Sequence, residues 1–85
     1  MQTYLAVFRS RAQTLDFVAR LRAAGIPASA VSTPKEARVG CGLSAKIGAF
    51  DLIGAKRALA CGHYGAFAGF FRVETRNGRT FVYPA

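Results

Sequence analysis

Apolar positions change their period several times along this chain, and each change marks an element boundary. Tyr4-Leu5-Ala6-Val7-Phe8 is a short run rich in β-formers and predicts a first strand. Directly after it, Ser10-Arg11-Ala12-Gln13 forms a capping box, in which the Ser10 hydroxyl accepts the third helical N–H and Gln13 reaches back. Leu15, Val18 and Leu21 then recur at helical spacing, with Phe17 and Ala24 widening the stripe and Arg11, Arg20 and Arg22 left to water. Gly25 suits the left-handed position that closes a helix over 11–24, and Pro27 prevents its continuation.

Ala28 to Ser32 predicts a second strand. Thr33-Pro34-Lys35-Glu36 repeats the start signal, with Pro at the first helical position, but Gly40 leaves room for little more than a turn. Leu43 to Ile47 reads as a third strand. A second helix follows, with Asp51 in its first turn, an apolar stripe of Leu52, Ala55 and Leu59, and Gly62 at its end. Phe67 to Arg76 and Arg79 to Tyr83 predict two strands joined by Asn77-Gly78, a strong hairpin signal. A two-residue loop sets Arg76 against Arg79, Thr75 against Thr80, Glu74 against Phe81 and Val73 against Val82. The order β-α-β-β-α-β with an appended strand predicts an α+β, ferredoxin-like plait, its sheet ordered 5-4-1-3-2 with the last strand at the edge.

At 85 residues the chain is long enough for one domain, spanning 1–85, and too short for a second core. Hydrophobic residues are 52% of it, but 16 are Ala, so the core must be thin. No apolar run approaches the ~18 residues of a membrane span, and the N-terminus lacks an export pattern. A cytosolic protein with reduced thiols is therefore expected, with no membrane partner. Two cysteines are too few for a secreted disulfide framework. Twelve Lys and Arg against four acids give a net charge of +8, which suits phosphate, nucleic acid or acidic partners. The basic residues are scattered, however, and also read as a solvated surface.

Two places carry candidate chemistry. Cys41 stands in Val39-Gly40-Cys41-Gly42-Leu43, where flanking glycines leave backbone N–H groups unobstructed and Lys35 and Arg38 are near in sequence. Such surroundings stabilise a thiolate, although a small side chain filling a tight turn is the plainer reading. Cys61 follows Leu59-Ala60 and reads as shielded filler at a helix end, so Cys41 is expected to be the more reactive thiol. With His63 the two thiols fall short of a four-ligand zinc pattern, and no metal or cofactor is expected. Catalytic triads, phosphate loops and paired carboxylates are also missing from the sequence.

The second place is the sheet. If Leu5 and Val7 face the helices, Tyr4 and Phe8 point to the opposite side, together with Phe70, Arg72, Phe81 and Tyr83. Aromatics and Arg on an uncovered sheet suit either base stacking or burial in a partner, with a homodimer as the first expectation.

Phe8-Arg9-Ser10, Ala24-Gly25-Ile26-Pro27, Thr33-Pro34-Lys35-Glu36 and Cys41-Gly42-Leu43, in this order, resemble the putative selenium/sulfur carrier-like family over about Tyr4 to Val73. The resemblance implies a small ferredoxin-like module without independent turnover. Its Cys41 would hold sulfur or selenium as a persulfide or selenosulfide received from a cysteine desulfurase or another donor. Lys35, Arg38, Gly40 and Gly42 would support it. The stretch Gly62 to Gly69 and the hairpin ending at Pro84 depart from the family pattern and would enlarge the sheet edge. A basic module that binds nucleic acid or protein through the open sheet is the alternative.

Overall fold

The structure, a computed structural model, describes residues 2–37 and 40–85. Strands β1 (Gln2–Phe8), β2 (Ala28–Ser32), β3 (Leu43–Gly48), β4 (Phe67–Arg76) and β5 (Arg79–Pro84) form one sheet in the order β2-β3-β1-β4-β5. Every neighbouring pair is antiparallel. Helix α1 (Arg11–Ala23) connects β1 to β2, and α2 (Leu52–Cys61), preceded by a 3₁₀ turn at Ala49–Asp51, connects β3 to β4. A second 3₁₀ turn, Lys35–Ala37, lies in the β2–β3 connection. This α+β arrangement is compatible with a ferredoxin-like plait extended by one strand. Among the described residues, no helix is long and apolar enough to cross a membrane.

Local chemistry explains the boundaries. Ser10 caps α1 by accepting the Gln13 N–H at 3.2 Å. At the other end, Gly25 (φ 82°) and Ile26 donate to the carbonyls of Arg22 and Leu21 at 3.0 and 2.9 Å, the paired bonds of a Schellman closure. Asn77 and Gly78 both take positive φ, as a type I′ turn requires, and β4 pairs with β5 in the register the turn dictates, Arg76 opposite Arg79.

Two expectations about phase are corrected. The helix layer packs on Tyr4, Ala6, Phe8, Ala45, Ile47 and Phe70, whereas Leu5 and Val7 point to the other side, with Phe71, Val73 and Val82. Tyr4, Phe8 and Phe70 are therefore not on the open face, and Phe8 is completely buried. Arg72 pairs with Tyr4 and Tyr83, and Phe81 with Glu74, which puts these side chains on the helix side as well. The run Tyr4 to Phe8 contains no polar residue to fix its phase, and both its faces are covered, so alternation there carries no information. The side away from the helices is mostly aliphatic at its centre, with Phe71 as its aromatic member among the described residues. The 3₁₀ turn at Lys35–Ala37 covers one end by placing Ala37 against Val7, and the remainder is a trough of about 480 Å³ floored by Leu5, Val31 and Val73.

The second correction concerns α1. Its buried stripe is Thr14, Phe17, Val18 and Leu21, while Leu15 is 45% exposed. The same truncation at two positions of this helix should thus cost very different amounts. In urea unfolding, Leu21→Ala is expected to lose about 2–5 kcal/mol, and Leu15→Ala to stay within about 0.5 kcal/mol of wild type. Equal losses would contradict the observed helix phase.

Candidate functional site

The C-terminal end of β1 and the first turn of α1 form one side of the candidate site, and the loop entering β3 forms the other. Cys41 donates its backbone N–H to the carbonyl of Phe8 at 3.0 Å, so the loop is hydrogen-bonded to the end of β1. Gly40 packs so tightly there that an added Cβ would collide with the Phe8 carbonyl and press on Val7. Gly42 has φ +87°, a conformation that L side chains adopt at a cost, and its carbonyl accepts the Thr33 N–H at 2.9 Å. Glycine on each side of the cysteine has a different cause: close approach before it, a left-handed backbone after it.

This loop leaves Cys41 exposed, with its sulfur against the first turn of α1. The thiol lies 3.6 Å from the Leu43 carbonyl, to which it donates, and 3.9 Å from Thr14 Oγ1. Thr14 is buried, and its hydroxyl lies 3.1 Å from the Ser10 carbonyl and 3.3 Å from that of Leu43, joining helix to loop beneath the sulfur. Behind the loop, Thr33 and Ser44 share a buried hydroxyl–hydroxyl hydrogen bond across the β2–β3 connection. Nothing in the sequence singled out Thr14, because a threonine at helical spacing among apolar residues looks like any other stripe position.

The other site residues named from sequence distribute as follows. Lys35 is exposed on the 3₁₀ turn, and among the described residues no hydrogen bond joins it to the Cys41 thiol. Arg38 lies outside the described residues. Cys61 is exposed rather than shielded, a correction that follows from its place two residues past Leu59, which turns it off the apolar stripe of α2. His63 is exposed in the loop beyond it.

A polar network that sequence reasoning missed holds that loop onto α1. Tyr64 donates its hydroxyl to Asp16 at 2.7 Å and accepts from Arg20 Nε at 2.9 Å. Gln13, expected to complete the capping box, instead accepts the Ala66 N–H at 2.9 Å, and Arg9 donates its backbone N–H to the Ala66 carbonyl at 2.7 Å. The Tyr64 ring meets Phe8 and Phe17 edge-on at 5.6 and 5.4 Å, within a cluster that continues through Phe67 to Phe70. The only sequence signal was the aromatic character of the stretch from Gly62 to Gly69.

Residues 3–64 match the profile of a family described as putative Se/S carrier protein-like. The match covers β1 to the end of α2 and stops before β4, although β4 lies beside β1 in the sheet. No curated protein and no solved structure shows a match.

Burial first, and then the bond to Asp16, hold the Tyr64 phenol above its ordinary value of 10.0, against the opposing bond from Arg20. The fold thus prefers the neutral phenol, and this contribution to stability is complete below pH 10 and lost as pH rises through the raised value. Above pH 10, wild type should lose stability more steeply than Tyr64→Phe in urea unfolding. Parallel pH profiles would contradict the network.

Proposed function

The chain belongs to the putative Se/S carrier protein-like family, and on that premise we propose that it carries sulfur or selenium on Cys41. The observation that carries this reading is an exposed thiol fixed by a glycine-built loop against the first turn of a helix. Exposure gives a donor access to the sulfur, as thiol exchange requires. The sulfur of Cys41, as thiolate, attacks the terminal sulfur of a donor persulfide. A new S–S bond forms on Cys41, the donor's S–S bond breaks, and the donor departs as a thiolate with that electron pair. The terminal hydrogen stays on the transferred sulfur, so the exchange needs no oxidant or reductant. Selenium would follow the same course, giving a selenosulfide.

In this reading the domain is a ferredoxin-like plait that works in the cytosol, where thiols stay reduced, and it turns over only with a donor and an acceptor protein. Lys35, exposed in the same connection as Cys41, would supply positive charge to the approach, as would Arg38, which lies outside the described residues. Gly40 and Gly42 set the position of the thiol. A cysteine desulfurase is the donor class that fits a persulfide cargo.

The exposure of Cys61 supplies an internal control, since simple accessibility would load both thiols. Reduced protein incubated with a cysteine desulfurase and cysteine should gain about 32 Da by mass spectrometry, the mass of one sulfur. The gain should vanish in Cys41→Ser and persist in Cys61→Ser. Loading of Cys61 alone, or of neither thiol, would overturn the carrier reading.

A further inference from the structure

The β4–β5 hairpin lies beyond the residues that match the family and has a surface of its own chemistry. The helices pack mainly over β1, β2 and β3. Farther out, the same side of the sheet presents Arg72, Glu74 and Arg76 of β4 opposite Tyr83, Phe81 and Arg79 of β5. The Arg72 guanidinium lies 4.8 Å from the centroid of the Tyr83 ring, and that of Arg76 lies 4.7 Å from the Phe81 ring. Arg76 also donates to the Tyr83 hydroxyl at 3.2 Å. Two cation–aromatic stacks therefore stand side by side along the hairpin.

Charge on this surface is unbalanced. Glu74 is the one acid in these pairs, and it approaches Arg72 and Arg76 only to 3.7 Å each, at ion-pair but not hydrogen-bond range. Arg72 Nε is shielded from water and has no hydrogen-bond partner among the described residues. Arg79 makes no side-chain hydrogen bond or ion pair among them. It stands directly across from Arg76, a like-charge pairing that opposes hairpin formation. These two arginines line a shallow cavity of about 560 Å³ with Asn77 and Phe81.

We propose that the helix-side surface of the β4–β5 hairpin binds single-stranded nucleic acid, its phosphates against Arg76 and Arg79 and its bases stacked on the Arg–aromatic pairs. A polyanion supplies the negative charge that the opposed arginines lack. Planar bases use guanidinium and ring faces without regard to sequence, which a carboxylate-bearing peptide does not. The net charge of +8 draws such a ligand toward the protein from a distance. Nothing in this proposal depends on sulfur loading at Cys41.

The test is fluorescence anisotropy of a labelled 12-nucleotide oligouridylate over a range of salt, with a poly-glutamate peptide of the same length alongside. Oligouridylate should bind more tightly than the peptide, with affinity falling as salt rises. Arg79→Gln should lower the slope of log affinity against log salt by about 0.7, the share of one phosphate contact on a single strand. Arg57→Gln, which removes the same charge from exposed α2, should leave the slope unchanged. Phe81→Leu should weaken binding at every salt concentration by at least about fivefold. Arg79 is exposed at the end of the turn, so its variant reports on binding with the fold intact, as checked by circular dichroism. Equal or tighter binding of poly-glutamate would assign the surface to acidic proteins instead. Equal effects of Arg79→Gln and Arg57→Gln would reduce it to general charge attraction, and either result overturns the proposal.

Discussion

Phe8 is held by two unrelated kinds of force, and most of the molecule is positioned by one or the other. Its ring is completely buried and meets Phe17, Tyr64 and Phe67 at 5.3 to 5.6 Å, so α1, the loop after α2 and the start of β4 all converge on it. Edge-on contacts of this kind contribute beyond the burial of area alone. Its carbonyl accepts the N–H of Cys41. Between Val7 and Phe8 the β1–β4 register shifts, which lets Phe8 oppose Phe67 while Val7 opposes Gly69. One residue thus ties the aromatic core to the loop that presents the thiol.

The thin core makes this arrangement consequential. With so many alanines, the helix layer draws much of its bulk from aromatics, and Phe17, Tyr64 and Phe67 gather around Phe8. The Tyr64–Asp16–Arg20 bonds and the Gln13–Ala66 bond fasten the loop after α2 along α1, from its first turn to its last. Cys41 rests against the first turn of the helix, where Thr14 bridges to Leu43. The hairpin surface proposed for nucleic acid is built differently, from cross-strand pairs rather than from a core, and needs only the turn at Asn77-Gly78 to set its register.

Much of this was legible in the sequence wherever backbone geometry demands particular residues. Ser10, Gly25 with Pro27, and Asn77-Gly78 each specify a local conformation that fixes element boundaries and the hairpin register, and the strand order follows from the β-α-β-β-α-β sequence of elements with right-handed crossovers. The glycines around Cys41 pointed to an unusual turn for the same reason. What escaped was everything decided by which face a side chain occupies. Tyr4 to Phe8 carries no charged or amide side chain to mark an outer face, and the 3₁₀ turn covers one end of the face that a two-layer plait would leave bare, so alternation places the aromatic set on the wrong side. Leu15 was expected in the buried stripe and is exposed, while the buried Thr14 is invisible to hydropathy. Cys61 was read as buried from its apolar neighbours, although two residues along a helix turn the side chain to a different face.

The central claim is that the loop bonded to Phe8 gives Cys41 a chemical setting that Cys61 does not share, and competitive alkylation measures it most directly. Folded protein treated with limiting iodoacetamide and mapped by mass spectrometry yields the ratio of the two labelling rates. Cys41 is expected to react faster than Cys61 in wild type. In Gly42→Ala, where the left-handed backbone is strained, the ratio should fall toward that of the urea-unfolded chain. Equal rates in folded wild type, or a ratio unchanged in a folded Gly42→Ala variant, would contradict it.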